Sequence, residues 1–126
     1  MFFMNAFGKK RLPPPEPVPL TTIEFEILLS LAAGDRHGYG IKLDIEARAD
    51  GDLVVRPGTL YRAISRLLDA GLIDELDEAP VPDRSDERRR YYRLTAQGNT
   101  AATTEARRLA RQVHAARARK LLPRQI

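Results

Sequence analysis

The sequence predicts a mostly α-helical fold with one small β-hairpin. Three observations carry that prediction. Apolar residues recur at three- and four-residue spacing in three stretches between residues 22 and 70, the period shifts to two between residues 72 and 94, and a long stretch rich in alanine and arginine follows Thr95. A chain of 126 residues suffices for one domain with an appendage and a modest core.

Residues 1–20 end in LPPPEPVPL, whose fixed φ angles and missing N–H donors favour extended polyproline geometry, so a flexible arm is expected. The pattern changes at TTIEFEILLSLAAG (21–34). Here Thr22 supplies a cap, Ile23, Ile27, Leu28 and Leu31 share one face of a first helix, and Gly34 stops it. In GYGIKLDIEARA (38–49), Ile41, Ile45 and Ala49 lie four apart with Leu43 beside them, predicting a second helix after a tight turn over 35–38.

VVRPGTLYRAISRLLDAGLI (54–73) reads as a short strand at Val54 and Val55 running into a third helix, with Pro57 in the first turn, where its missing N–H is not needed. Leu60, Ala63, Ile64, Leu67 and Leu68 form its buried stripe. Gly58, Thr59, Arg62, Ser65 and Arg66 lie opposite, with Tyr61 on the border. Arg56 stands where a capping Ser or Thr is the rule, which leaves the helix start open by one residue.

Beyond Gly71, LIDELDE (72–78) and RRRYYRLT (88–95) read as two strands. Leu72 and Leu76 share a face, and Arg90, Tyr92 and Leu94 alternate with Arg89, Tyr91 and Arg93. The intervening APVPDRSDE is polar and broken by proline, so the pair forms a hairpin with a long tip. Thr95 caps a last helix expected from about Ala96 to Leu122. Residues 21–95 are thus the main domain, and residues 96–126 a C-terminal helix with a basic tail.

Three helices followed by a two-stranded hairpin is the winged helix-turn-helix arrangement, in which the third helix enters the DNA major groove and the hairpin lies along the backbone or minor groove. Gly58 then has a physical task. Without a side chain, the start of the third helix approaches a phosphate closely, and its free N–H groups and dipole favour an anion.

Charge is segregated in a way that agrees with this arrangement. Residues 21–78 hold 12 acids and 6 bases, whereas residues 96–126 hold one acid, Glu105, and 7 bases. Arginine outnumbers lysine 17 to 4, which suits bidentate contact with phosphate, although a GC-rich genome produces the same bias. Cysteine is absent, which excludes disulfides, thiolate metal sites and cysteine nucleophiles. MFFMNAFGKKR has its apolar residues before the basic ones, the reverse of a secretory signal, and there is no long apolar run; a cytoplasmic protein with no membrane partner is expected.

HGYGIK (37–42), RPGTLYRAISRLLDAGLI (56–73) and DERRRYYRLTAQG (86–98) together resemble the PadR family of transcriptional regulators, with the match covering roughly residues 20–122 in the right order. The resemblance implies a homodimer joined through the C-terminal helices, a palindromic operator on double-stranded DNA, and usually repression. Carried over by motif, it implies that Tyr39 and Lys42 touch the DNA backbone. It places Gly58, Thr59, Tyr61, Arg62 and Arg66 on or in the major groove, and Arg88, Arg89 and Arg90 in the wing. Asp83, Asp86 and Glu87 around those wing arginines depart from what a phosphate-seeking wing needs.

Each residue also has a plainer reading. Tyr39 and Tyr61 could be border residues covering the core. Arg62 and Arg66 could form a solvated face, with Arg66 paired to Asp69, and Arg88–Arg90 could be an exposed strand neutralised by Asp86 and Glu87. In the last helix, Ala102, Ala106, Leu109, Val113 and Ala116 are spaced 4, 3, 4 and 3, a seam for dimerisation or for packing on the domain itself.

An enzyme is not expected: there is no nucleophile elbow, no phosphate-cradling loop and no nucleophile with a base beside it. His37 and His114 are the only histidines and lie far apart, so neither a metal nor a cofactor is expected. His37 is expected to cap or pack in the turn, and His114 to be exposed. A small-molecule effector is left open, since no pocket is legible. The alternative to a DNA-binding regulator is a winged-helix module that holds an acidic protein on the same face.

Overall fold

The computed structural model describes residues 19–77 and 90–123. Arg88, Arg89, the hairpin tip and residues 1–18 of the arm lie outside that range. The first helix, α1 (Thr22–Ala32), is capped by Thr21 rather than by Thr22 as expected. Thr21 Oγ1 accepts the Glu24 N–H at 3.2 Å while Glu24 Oε1 accepts the Thr21 N–H at 2.9 Å. The residue three after the cap decides the choice: Thr21 has Glu24 there and forms a reciprocal capping box, whereas Thr22 has Phe25. Leu20, assigned to the arm, packs against the core.

The chain next forms β1 (Arg36–His37) where only a tight turn was expected, and His37 then caps α2 (Gly38–Arg48) by accepting the Gly40 N–H on Nδ1 at 2.9 Å. Ile41 and Ile45 of α2 are fully buried, but Leu43 is exposed rather than beside them. It lies two residues from each of those isoleucines, on the opposite side of a 3.6-residue period.

The strand expected at Val54 and Val55 does not form. The Val55 N–H is taken by the Glu46 carboxylate at 2.9 Å, and the place beside β3 (Tyr91–Leu94) is filled by β1, with Arg36 opposite Tyr92 and His37 opposite Tyr91. With β2 (Ile73–Glu75) on the other side of β3, the sheet has three antiparallel strands in the order β1-β3-β2. The helix between, α3 (Pro57–Asp69), ends where Gly71 turns to φ +75°, its N–H on Leu68 O and that of Leu72 on Leu67 O, both at 3.0 Å. Leu72 is thus still committed to the helix end, and the buried residue of β2 is Ile73, not Leu72 or Leu76.

Thr95 caps α4 (Ala96–Ala118), accepting from the Gly98 N–H and donating to Gly71 O at 2.8 Å, so one side chain joins the end of α3 to the start of α4. The last helix stops four residues short of the expected Leu122. Lys120 adopts φ +65°, and the N–H groups of Lys120 and Leu121 close back onto Arg117 and Ala116 in the same kind of terminal turn.

The core gathers Ile27, Leu28 and Leu31 of α1, Ile41 and Ile45 of α2, Leu60, Ala63, Ile64 and Leu67 of α3, and Ile73 and Tyr92 of the sheet. Four of the five stripe residues expected on α3 are buried, and Leu68 packs at the edge. Burying each aliphatic side chain contributes about 1.5–3 kcal/mol, enough to fix the roll of α3 about its axis and therefore the face it turns outward. The arrangement is a winged helix-turn-helix domain with an added C-terminal helix.

Candidate nucleic-acid interface

The outward face of α3 is set by the stripe it buries. Gly58, Thr59, Tyr61, Arg62, Ser65 and Arg66 are all exposed. The helix opens at Pro57 behind Arg56, which makes no side-chain capping bond, so the N–H groups of Gly58 and Thr59 have no side-chain cap. The heavy atoms nearest a Cβ built on Gly58 are those of the Arg62 guanidinium, with Nη1 at 3.2 Å. The core therefore makes no demand for glycine there. Arg62 folds back over it, exposed and without an acidic partner among the described residues.

Tyr61 behaves differently. It is 48% exposed, but its ring lies on Gly38 at the start of α2, where an added Cβ would collide with the hydroxyl and stand 2.8 Å from Cζ. Tyr61 thus joins the two helices as well as facing outward. Tyr39 is also half exposed, and Lys42 Nζ sits 5.9 Å from its ring centroid.

Three of the expected cations are held by acids. Arg66 Nε lies 2.7 Å from Glu24 Oε2 on α1, not against Asp69 as the plainer reading had it; the buried stripe of α3 turns Arg66 toward the first turn of α1. Lys42 Nζ lies 3.0 Å from Glu46 Oε1, one turn along α2. Arg90 Nε lies 3.7 Å from Glu75 Oε2 across the sheet. Hydrogen bonds from the Val55 N–H and from Lys42 hold the Glu46 carboxyl below its ordinary range. Burial pushes Glu24 up, but Arg66 and the Thr21 backbone outweigh it and leave that carboxyl lowered too.

Gly58, Thr59 and Arg62 therefore share one open face, with Tyr61, Tyr39 and Lys42 on its α2 flank and Arg66 on its α1 flank. Sequence reasoning treated exposed Arg56, two residues before Gly58, only as an unusual cap, and did not single out the two glutamates. Glu24 had a signal, because Thr21-x-x-Glu24 is the spacing of a capping box. Glu46 had only its i, i+4 relation to Lys42.

On α4, Ala102 packs against the domain core, while Leu109 is half-buried and Ala106 and Val113 are exposed. Glu105 is buried beneath Arg108, which donates from Nε at 3.1 Å and from Nη2, and this pair lines an open groove of about 890 Å³ among α1, α3 and α4 that Glu24 and Arg66 also line. His114 is exposed, as expected. Among the described residues no helix is long and apolar enough to cross a membrane, and no three His, Asp or Glu side chains gather as metal ligands.

A transcriptional regulator of Clostridium thermocellum is 30% identical to this chain, with a TM-score of 0.60 over 71% of this chain and 86% of its own. A PadR family transcription regulator of Clostridium difficile has a TM-score of 0.65 at 23% identity, covering 78% and 97% of the two chains. The Bacillus subtilis PadR solved in complex with operator DNA has a TM-score of 0.56 at 19% identity, covering 67% of this chain and 46% of its own. No curated protein sequence matches. The model of the transcriptional regulator PadR-like family matches residues 27–104, from within α1 to within α4. That span contains the whole helix-turn-helix and both hairpin strands, and the chain belongs to the PadR-like family of transcriptional regulators, which are not enzymes.

Proposed function

We propose that this protein is a sequence-specific DNA-binding repressor acting as a homodimer on a palindromic operator. In this reading the start of α3 enters the major groove and Gly58 admits a phosphate to the uncapped N–H groups. Thr59, Tyr61, Arg62 and Arg66 line the groove contact, and Tyr39, Lys42 and Arg88–Arg90 serve the DNA backbone. The dimer forms along Ala102, Ala106, Leu109, Val113 and Ala116 of α4. The observation that carries the reading is the open first turn of α3. Gly58, Thr59 and Arg62 are exposed, add nothing to the core, and face outward beside uncapped N–H groups, the arrangement an anion requires. The seam on α4 supports the dimer because Val113 and Ala106 stand exposed on a single chain. The operator complex of the Bacillus subtilis protein supports DNA as the ligand.

The test is a nuclease footprint on the DNA upstream of the protein's own gene, followed by binding titrations in increasing salt. The expected result is a protected inverted repeat with half-sites about one helical turn apart and an affinity that falls steeply with salt. Binding that ignores sequence, or capture only of an acidic protein, would transfer this face to protein recognition.

A further inference from the structure

Glu24 and Glu46 lie on different helices and hold different cations, yet they are built alike. Each carboxylate places one oxygen on a backbone N–H, that of Thr21 for Glu24 and that of Val55 for Glu46, both at 2.9 Å. Each places the other oxygen on a cation flanking the α3 face, Arg66 at 2.7 Å and Lys42 at 3.0 Å. An ordinary surface ion pair joins two mobile side chains and contributes little. Here the acid is fixed by the backbone, so it cannot swing away when the cation is offered another anion.

This bears directly on DNA binding. Sequence-independent affinity comes almost entirely from cations that neutralise phosphates and release counterions. A cation already matched by a fixed carboxylate must exchange one anion for another, and the abandoned carboxylate then loses its ionic partner. On DNA of arbitrary sequence nothing offsets that loss. On an operator, the deeper seating of α3 supplies base contacts that do.

We propose that Glu24 and Glu46 are specificity determinants, internal competitors that withhold Arg66 and Lys42 from phosphates on non-operator DNA. The inference rests on the DNA-binding reading above.

The experiment uses the full chain and its Glu24→Gln and Glu46→Gln variants. Fluorescence anisotropy is read on the footprinted operator and on a scrambled duplex of equal length, between 50 and 200 mM salt. Glutamine keeps the oxygen that accepts the backbone N–H and removes the charge, so the melting temperature serves as the control for folding. Each variant should bind the scrambled duplex several-fold more tightly, with the ratio of operator to scrambled affinity falling. The salt slope should steepen by about 0.9 per freed cation in each protomer, an added loss of about threefold per contact over that salt range.

Glu46→Gln made together with Lys42→Gln should lose the gain that Glu46→Gln makes alone. Glu24→Asp and Glu46→Asp, which keep the charge but shorten the reach, should move the ratio in the same direction by less and provide the reading if a glutamine variant does not fold. Variants with the parent's slopes and ratio, or equal gains on both duplexes, would overturn the inference while leaving the DNA-binding reading intact. A parent protein that binds neither duplex would remove both.

Discussion

The ring of Tyr61 on α3 rests directly on Gly38, the first residue of α2, leaving no room for even a methyl group. This contact sets the distance between the two helices of the helix-turn-helix at the end that faces outward. Gly38→Ala should therefore destabilise the fold by about 1–3 kcal/mol, the usual range for overpacking. Adding Tyr61→Ala should recover a large part of that loss in a double-mutant cycle, because the three nearest atoms all belong to Tyr61. Denaturant melts measure both, and additive losses would show that Gly38 is needed for some other reason.

Gly58 meets no such wall. The atoms nearest an added Cβ belong to the flexible end of Arg62. Gly58→Leu should leave the melting temperature and oligomeric state nearly unchanged while abolishing operator binding, since a bulky side chain holds the helix start off the phosphate. Normal binding by this variant would mean that the glycine serves the turn instead.

Arg62 and Arg66 should prove unequal. Arg62 has no acidic partner among the described residues and sits one turn into α3, whereas Arg66 is held by Glu24. Arg62→Ala should cost roughly 1–3 kcal/mol at one base position and relax preference there. Arg66→Ala should weaken operator binding evenly across base positions and change binding to random DNA little, since Glu24 holds that arginine there. Titration against operators altered one base at a time measures this, and equal losses on operator and random DNA for Arg62→Ala would refute the assignment.

Truncation separates the two duties of α4. Ala101 and Ala102 pack on the core and Glu105 is buried, but Ala106 and Val113 are exposed. Ending the chain after Arg108 should leave a folded domain that sediments as a monomer and loses operator affinity, whereas ending it after Thr100 should also lower the melting temperature. A dimer that survives the first truncation would remove α4 as the dimerisation helix.

Acid should loosen the approach to α3. Glu46 is lowered from its ordinary 4.5 by the Val55 N–H first and by Lys42 next. Its stabilisation is complete above the unfolded-state value and is lost as pH falls through the folded one. The melting temperature should be flat down to about pH 5.5 and decline below the ordinary carboxylate range, less steeply in Glu46→Gln. Thermal melts across pH decide it, and a melting temperature that rises on acidification would contradict the assignment.

Periodicity by itself determined the four helices, the hairpin and the face that α3 turns outward. Burial of Leu60, Ala63, Ile64 and Leu67 follows from a 3.6-residue period that nothing distant can alter. The caps at His37 and Thr95 were legible for a similar reason, since a cap is a bond to the N–H three residues on. What only the tertiary structure decided depends on partners remote in sequence. A strand exists where a free edge meets it, so β3 recruited Arg36–His37, while Val54 and Val55, as β-prone as any pair in the chain, went without a ladder. The fate of each cation was settled in the same way. Arg66 finds its acid 42 residues away, across a packing of α1 on α3 that no local pattern encodes, and Arg62, one turn earlier on the same face, has no carboxylate folded beside it among the described residues.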